Sequence, residues 1–345
     1  MKEMEKIKTI IAVIMACLAF ISHAQSVEPT CWTTKGEQMK LPIEDAILEI
    51  PDSIAAIDLC GVEAVTLDCS SANPNCLYYI DGATSVEGLP NANVVCEGIC
   101  DGLLLTDQAC FYCPMSFFAT DAMLRFTPRF DDEHEENDFS QLCHETIILP
   151  FDTDFVIPEN VNGPMPDGWL QMATYDGYEF DKLVFSRSYD NCPKANIPYL
   201  VSFAYGAYGT QILFCGQDKN VEETKTTIEG EEFYRFTGTT MSKEEESGYF
   251  RYHRGQKPYF IYNGDRMPME PFRCFIQLEK LDITDNELSF GQILNYFVFE
   301  QASTGIDTRI NNHSNKVCYD LIGRQLPNGN RNKGIYIIGG IKVIQ

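Results

Sequence analysis

Apolar positions along this chain recur mainly with a period of two. Leu124, Phe126 and Phe130 alternate with Arg125, Thr127 and Arg129, the mark of a strand with one buried face. Similar runs follow at LVFSRS, PYLVSFAYG, TQILFCG, EEFYRFTG, GYFRYHRG, KPYFIYNG and NYFVFEQ. Gly, Pro, Asn and Asp separate them at a spacing typical of sandwiches and barrels. In FRCFIQLEKL, Phe272, Cys274, Ile276 and Leu278 alternate with Arg273, Gln277 and Glu279, which places Cys274 in a core. Helical periodicity is brief, confined to PIEDAILEI and ELSFGQIL. The pattern predicts an all-β protein: an antiparallel β-sandwich-like central domain, an N-terminal β region and a small C-terminal β mini-domain.

Two composition shifts suggest boundaries. The acidic run DDEHEENDF from Asp131 reads as a solvated loop, and QASTGIDTRINNHSN from Gln301 has linker composition. They divide the chain into a β region at 25–130, a central domain at 131–302 and a tail at 303–345. The acidic run lacks the spaced ligands and turn glycine of a calcium loop.

The first residues change the picture most. Lys2, Lys6 and Lys8 precede an apolar run from Ile10 to Ile21, and Ser22-His23-Ala24 supplies small residues at the positions a signal peptidase reads. Residues 1–24 are therefore expected to be a signal peptide, its apolar run shorter than the roughly 20 residues of a spanning helix. The mature chain is expected to be exported, either secreted or held at the cell surface or outer membrane, without a transmembrane segment. A lipoprotein reading of Met15-Ala16-Cys17 is weakened by the apolar residues after Cys17.

With 44% hydrophobic and 12% aromatic residues among 345, the chain has enough apolar surface for one large or two modest cores. Its formal net charge of −24 repels phosphate backbones and anionic lipid, which argues against a nucleic-acid partner. Of 14 cysteines, Cys17 lies in the leader. Export makes a disulfide framework the default for the others, and Cys96, Cys100, Cys110 and Cys113 are the nearest candidates. A zinc site there is the less favoured alternative, because the gap between Cys100 and Cys110 is short for two knuckles. Reduced, buried thiols rank between the two.

The motifs NPNCLYYID, NVVCEGICDGLLLTDQACFYCPMSFFATDAMLRFTPRF, CHETIILPFDTDFVIP and KANIPYLVSF, in that order, resemble an uncharacterised β-rich module of Bacteroidota exported and surface proteins, often found beside leucine-rich repeats. The resemblance covers roughly residues 42 to 280. Where that module tends to carry Trp before LPFD, this chain has LCHETIILPFD. The module implies export but no particular activity. The closing YDLIGRQL and KGIYIIGGIKV are similar to type IX secretion sorting tails. That likeness implies an address read by export machinery, with Tyr319 and Ile335 holding a small sheet and Asp320, Gly323, Arg324 and Gly334 shaping its turns and face. The alternative is a structural cap over an exposed sheet edge. Asp52-Ser53-Ile54 resembles a short O-glycan acceptor of the same phylum.

Catalytic signatures are few. The chain contains no HExxH, GxSxG, P-loop or GxGxxG. Cys143 and His144 are adjacent, so on a strand they face opposite ways and cannot form a thiol–imidazole pair. No catalytic residue, metal ligand or cofactor is assigned. FAYGAYGT offers Tyr205 and Tyr208 as rings for stacking on a ligand. The leading expectation is a non-catalytic adhesion or binding protein for a glycan or a host protein. The alternative is a secreted glycan hydrolase with a carboxylate pair in the central domain.

Overall fold

The structure is a computed structural model. Its described residues are 28–128, 142–159, 168–179, 182–188, 190–204, 211–225, 234–241, 249–253, 259–262, 269–278 and 293–299, and in the tail 318–319, 325–326, 335–338 and 341–344. The leader, the acidic run and most of the linker lie outside them. The described elements are strands, with no helix, and none therefore forms an apolar helix able to cross a membrane.

The first strands are β1 (Thr30–Thr33), β2 (Gln38–Lys40), β3 (Ile47–Glu49), β4 (Ile54–Asp58), β5 (Glu63–Asp68), β6 (Leu77–Ile80), β7 (Ser85–Glu87) and β8 (Val94–Cys96). From β3 the chain alternates between two parallel ladders, β3–β5–β7 and β4–β6–β8. Each passage adds one rung to a coil. PIEDAILEI, the first brief helical pattern, is a turn leading into β3. Leu48, Ile50, Ile57, Val65, Leu67 and Tyr78 fill the space between the ladders. The hairpin of β1 and β2 covers the free side of β4, leaving no bare parallel edge there.

The coil ends where β8 turns back into β9 (Ile99–Thr106). The turn residues Glu97 and Gly98 have φ of 50° and 83°, the left-handed pair that a two-residue hairpin requires. β9 then pairs in parallel with β10 (Phe117–Phe126).

The remaining strands of the main body are β11 (Leu142–Ile147), β12 (Phe155–Pro158), β13 (Leu170–Glu179), β14 (Lys182–Ser188), β15 (Tyr199–Ala204), β16 (Ile212–Val221), β17 (Tyr234–Thr239), β18 (Tyr249–His253), β19 (Tyr259–Tyr262), β20 (Arg273–Leu278), β21 (Ile293–Leu294) and β22 (Tyr296–Phe299). β10 pairs antiparallel with β16 along its length, from Phe117 opposite Val221 to Phe126 opposite Ile212. One nine-stranded sheet therefore runs β12-β16-β10-β9-β8-β6-β4-β1-β2. It draws strands from both sides of residue 130, so the boundary expected there does not divide it.

A second sheet runs β11-β15-β13-β14-β22 and a third β17-β20-β18-β19-β21. The second is apolar on both faces. Tyr199, Val201 and Phe203 of β15 pack toward Leu105, Leu124, Phe126 and Phe214 of the nine-stranded sheet. Leu200, with Ala173 and Phe185, packs toward Phe236, Phe260 and Ile276 of the third. Alternation along one strand thus serves two cores, because successive side chains leave opposite faces. The described residues are all-β, as expected, but the antiparallel sandwich expected for the central domain is not what they form: β14 pairs with β22 in parallel, and the sheet that β12 and β16 join continues into the parallel ladder β4–β6–β8. Cys274 is buried as its alternation predicts, but Arg273 beside it is buried too.

Residues 300–345 form a separate compact unit, with strands β23 (Cys318–Tyr319), β24 (Gln325–Leu326), β25 (Ile335–Ile338) and β26 (Ile341–Ile344) in the order β24-β23-β25-β26. Ile338 lies opposite Ile341, as a two-residue hairpin over Gly339-Gly340 predicts. Tyr319 sits on β23 and Ile335 on β25. Asp320, Gly323, Arg324 and Gly334 lie outside the described residues.

Candidate binding cleft

Two polar networks position the loops from which a cleft is built. In the first, buried asparagines hold backbone. Asn75 donates from Nδ2 to the carbonyls of Thr106 (2.9 Å) and Ala109 (2.7 Å), and its Oδ1 accepts from Thr106 N–H (2.7 Å). Asn73 donates to the Cys110 carbonyl (2.7 Å). Asn93 donates to the carbonyls of Pro74 (3.1 Å) and Leu104 (3.0 Å) and accepts from Leu104 N–H (2.8 Å). An amide carries both donors and an acceptor, so it can close a ladder where no strand is present. The Asn-Pro-Asn motif is thus a clamp on the loop after β9.

The second network is ionic. Arg273 grips Asp107 with both terminal nitrogens, at 2.7 and 2.8 Å. Its Nε lies 3.7 Å from Glu145 Oε2, and its guanidinium carbon lies 4.5 Å from the Phe126 ring centroid. All three charged side chains are buried. Burial pushes the guanidinium pKa down, but Glu145 and Asp107 outweigh it and hold Arg273 charged. Asp107 follows β9, Glu145 lies on β11 and Arg273 opens β20, so one guanidinium ties the three sheets together. Its chemistry is structural: the bond to Asp107 is bidentate and the contact to Glu145 is ionic without a hydrogen bond, and all three side chains are buried away from a substrate.

Between these networks runs the segment 111–113, hydrogen-bonded on both flanks. Phe111 N–H donates to Thr240 O (2.8 Å), and the Thr240 hydroxyl donates to Phe111 O (3.0 Å). On the other side Thr224 N–H donates to Cys113 O (2.9 Å), and Cys113 N–H donates to Thr224 Oγ1 (2.9 Å). The extended stretch 222–225 and the end of β17 thereby become facing walls. The cleft between them has a volume of about 990 Å³, with Ile148, Pro150 and Asn196 among its lining residues. The walls carry Glu222, Glu223 and Lys225 on one side and Thr237 and Thr239 on the other. The mixture of hydroxyls, carboxylates and an amide suits a polar ligand, and the volume is at the upper end of ordinary ligand sites, roughly 300–1,000 Å³.

The residues expected from sequence to carry a site fare differently. Tyr205 and Tyr208 lie outside the described residues. Cys96, Cys100 and Cys113 are thiols without a disulfide, which corrects the expectation of a framework joining them. Val95 pairs with Cys100 and Cys96 with Ile99, so Cys96 points to the exposed face and Cys100 into the core. Cross-strand geometry keeps those two sulfurs apart. Cys113 is buried beside the Tyr79 hydroxyl. Burial pushes the Cys113 thiol up to about 12 and that of Cys100 up to about 11. Among the described residues no cluster of three or more His, Cys, Asp or Glu side chains is placed to hold a metal.

Sequence reasoning missed one pair. His144 and Ser202 lie opposite each other on β11 and β15, with Ser202 Oγ 2.6 Å from His144 Nδ1. Burial lowers the imidazole pKa, favouring the neutral form. The distance suits a nucleophile and base, and Ser202 is buried, which shields its hydroxyl. Only the strand register brings the two together, and neither residue stands in a motif that announces it.

No protein-family model, curated protein or solved structure matches the chain.

Proposed function

We propose that this chain is an exported, non-catalytic binding protein whose ligand sits in the cleft between residues 222–225 and the end of β17. The observation that carries this reading is the cleft itself, a cavity of about 990 Å³ with opposed polar walls held by hydrogen-bonded backbone. In this reading the body is a short β-solenoid whose last rung continues into stacked sheets, a rigid frame for the cleft. The leader and the motif order support placement at the cell surface or outside the cell, as in the Bacteroidota module the chain resembles. The tail supports a sorting role.

The test is binding to arrayed glycans and extracellular matrix proteins by the chain and by a Glu222→Lys, Glu223→Lys variant. The expected result is a ligand retained by the first and lost by the second, with both melting alike. Equal binding by the two moves the site elsewhere. A second reading, glycan hydrolysis, draws on Glu222 and Glu223 lying in one cleft; turnover abolished by Glu223→Gln establishes it.

For the tail, deletion of residues 310–345 is expected to leave the body folded while blocking surface delivery. A large fall in melting temperature makes the tail a structural cap instead.

A further inference from the structure

The third sheet ends on β17, whose one strand neighbour among the described residues is β20. Gly238 of β17 stands opposite Cys274. Cys274 N–H donates to the Thr146 hydroxyl (2.9 Å), which in turn donates to the Cys274 carbonyl (3.2 Å). Both Cys274 backbone groups therefore point away from β17. Partners in an antiparallel ladder alternate between bonded and unbonded pairs, and Gly238–Cys274 is an unbonded one. The N–H and C=O of Gly238 must then point to the open edge, where the strand borders the cleft.

Glycine is also required there by space. A Cβ at Gly238 would fall 2.7 Å from Ile148 Cγ2, closer than real side chains approach. Among the described residues no strand lies on this edge at Gly238, segment 111–113 meeting the chain only beyond it at Thr240, and Gly238 borders the polar cavity. Natural edge strands are ordinarily covered or guarded because they invite another strand.

We infer that the cleft takes an extended polypeptide segment, which adds to β17 as a further strand through Gly238 and sets a basic side chain against Glu222 and Glu223. The inference rests on the cleft being the ligand site. Strand addition accounts for an open edge and a facing wall together: main-chain hydrogen bonds supply affinity, and alternate side chains meet the far wall. Glu222 and Glu223 outnumber Lys225 on the wall opposite β17, so the local charge is net negative and sets the preference, reinforced at long range by the net charge of −24.

The experiment is selection of a displayed random heptapeptide library on the full chain, with counter-selection on the Glu222→Lys, Glu223→Lys variant. Enrichment of peptides with a basic residue between β-branched neighbours is expected. Such a peptide, resynthesised with single N-methyl groups, should lose about tenfold or more in affinity, roughly one hydrogen bond's worth, when methylated at amides of one parity and little at the other. Gly238 amide exchange should slow on binding. Equal losses at both parities, or unchanged Gly238 exchange, overturn strand addition. A glycan that binds and is lost in the double variant, with no peptide enriched, keeps the cleft and overturns the peptide. Absence of any ligand that discriminates the two proteins overturns both.

Discussion

The coil of residues 47–96 and the stacked sheets beyond residue 142 are both built from strands, yet they are held by different means. The coil core is aliphatic, with Leu48, Ile50, Ile54, Ile57, Val65 and Leu67 and no phenylalanine. The core between the second and third sheets is aromatic: Phe185 lies 5.2 Å from Phe236 and 6.2 Å from Phe260, with Tyr296 at 5.7 Å. Strands of three to six residues returning on themselves leave room for branched aliphatics, whereas two facing sheets about 10 Å apart need large rings to fill the gap. The coil compensates for its short ladders with side-chain amides. The stack compensates for burying charge with one guanidinium between two carboxylates. Stability in one region is thus local in sequence, and in the other it joins residues more than a hundred positions apart.

The comparison breaks most sharply at Arg273. Replacing it with alanine leaves Asp107 and Glu145 buried without the guanidinium between them, a loss of about 3–5 kcal/mol. Urea melts should show it. Amide exchange should accelerate in β11, β20 and the loop at 107, while β4 and β6 of the coil keep their protection. Equal loss of protection in the coil would mean that the two regions unfold as one unit and that the contrast has no energetic content.

Asn75→Ala tests the other side. It strips partners from Thr106 N–H and from the carbonyls of Thr106 and Ala109, at about 1–3 kcal/mol for buried groups left unsatisfied. The expected signature is faster exchange at residues 104–110 and weakened ligand binding, since that loop leads into segment 111–113 at the back of the cleft. Asn75→Asp should behave similarly, because a carboxylate cannot donate to the two carbonyls. A stability change within about 0.5 kcal/mol would show that the loop finds other partners.

How much of this was legible in the sequence follows from the same contrast. Period-two alternation located β10, β14 to β20 and β22, because a strand buried on one face or two writes its environment into neighbouring residues. It could not reveal that β3 to β8 pair in parallel, since rungs of three to six residues are too short to carry a period. Nor could it reveal the buried charge. Arg273 sits at a polar position in an alternating strand and reads as solvent-facing, and Asp107 and Glu145 declare themselves only through contacts across 166 and 128 positions. The Asn-Pro-Asn motif is visible in the sequence, but its role depends on which backbone groups fold against it. The cleft was illegible for the same reason: its walls are residues 222–225 and 237–241, brought together by hydrogen bonds to 111–113. The cysteine reading failed because alternation on β8 and β9, not proximity in sequence, decides which thiols meet.

Those thiols offer the finest test of the two regions. In the coil, burial raises the Cys76 thiol, and Tyr78 beside it has its phenol raised chiefly by the same burial. Between the second and third sheets Cys274 is raised by burial as well, but among the described residues no other thiol joins that core. A thiol whose folded pKa exceeds its unfolded value near 9.0 contributes its full stability below pH 9. Above that the unfolded chain ionises while the folded one does not, so stability falls as pH rises. One unit above the unfolded pKa, a single thiol costs about 1 kcal/mol. The coil, with Cys31 also pushed up to about 12 by burial, should therefore lose amide protection before the stack between pH 8 and pH 10. Cys76→Ala should flatten that decline by about 1 kcal/mol at pH 10, after correction for the small cavity it leaves at neutral pH. Cys274→Ala should flatten the stack instead and leave the coil's titration unchanged. If either substitution shifts both regions equally, ionisation in one core is felt in the other, and coil and stack behave as one cooperative body despite their different construction.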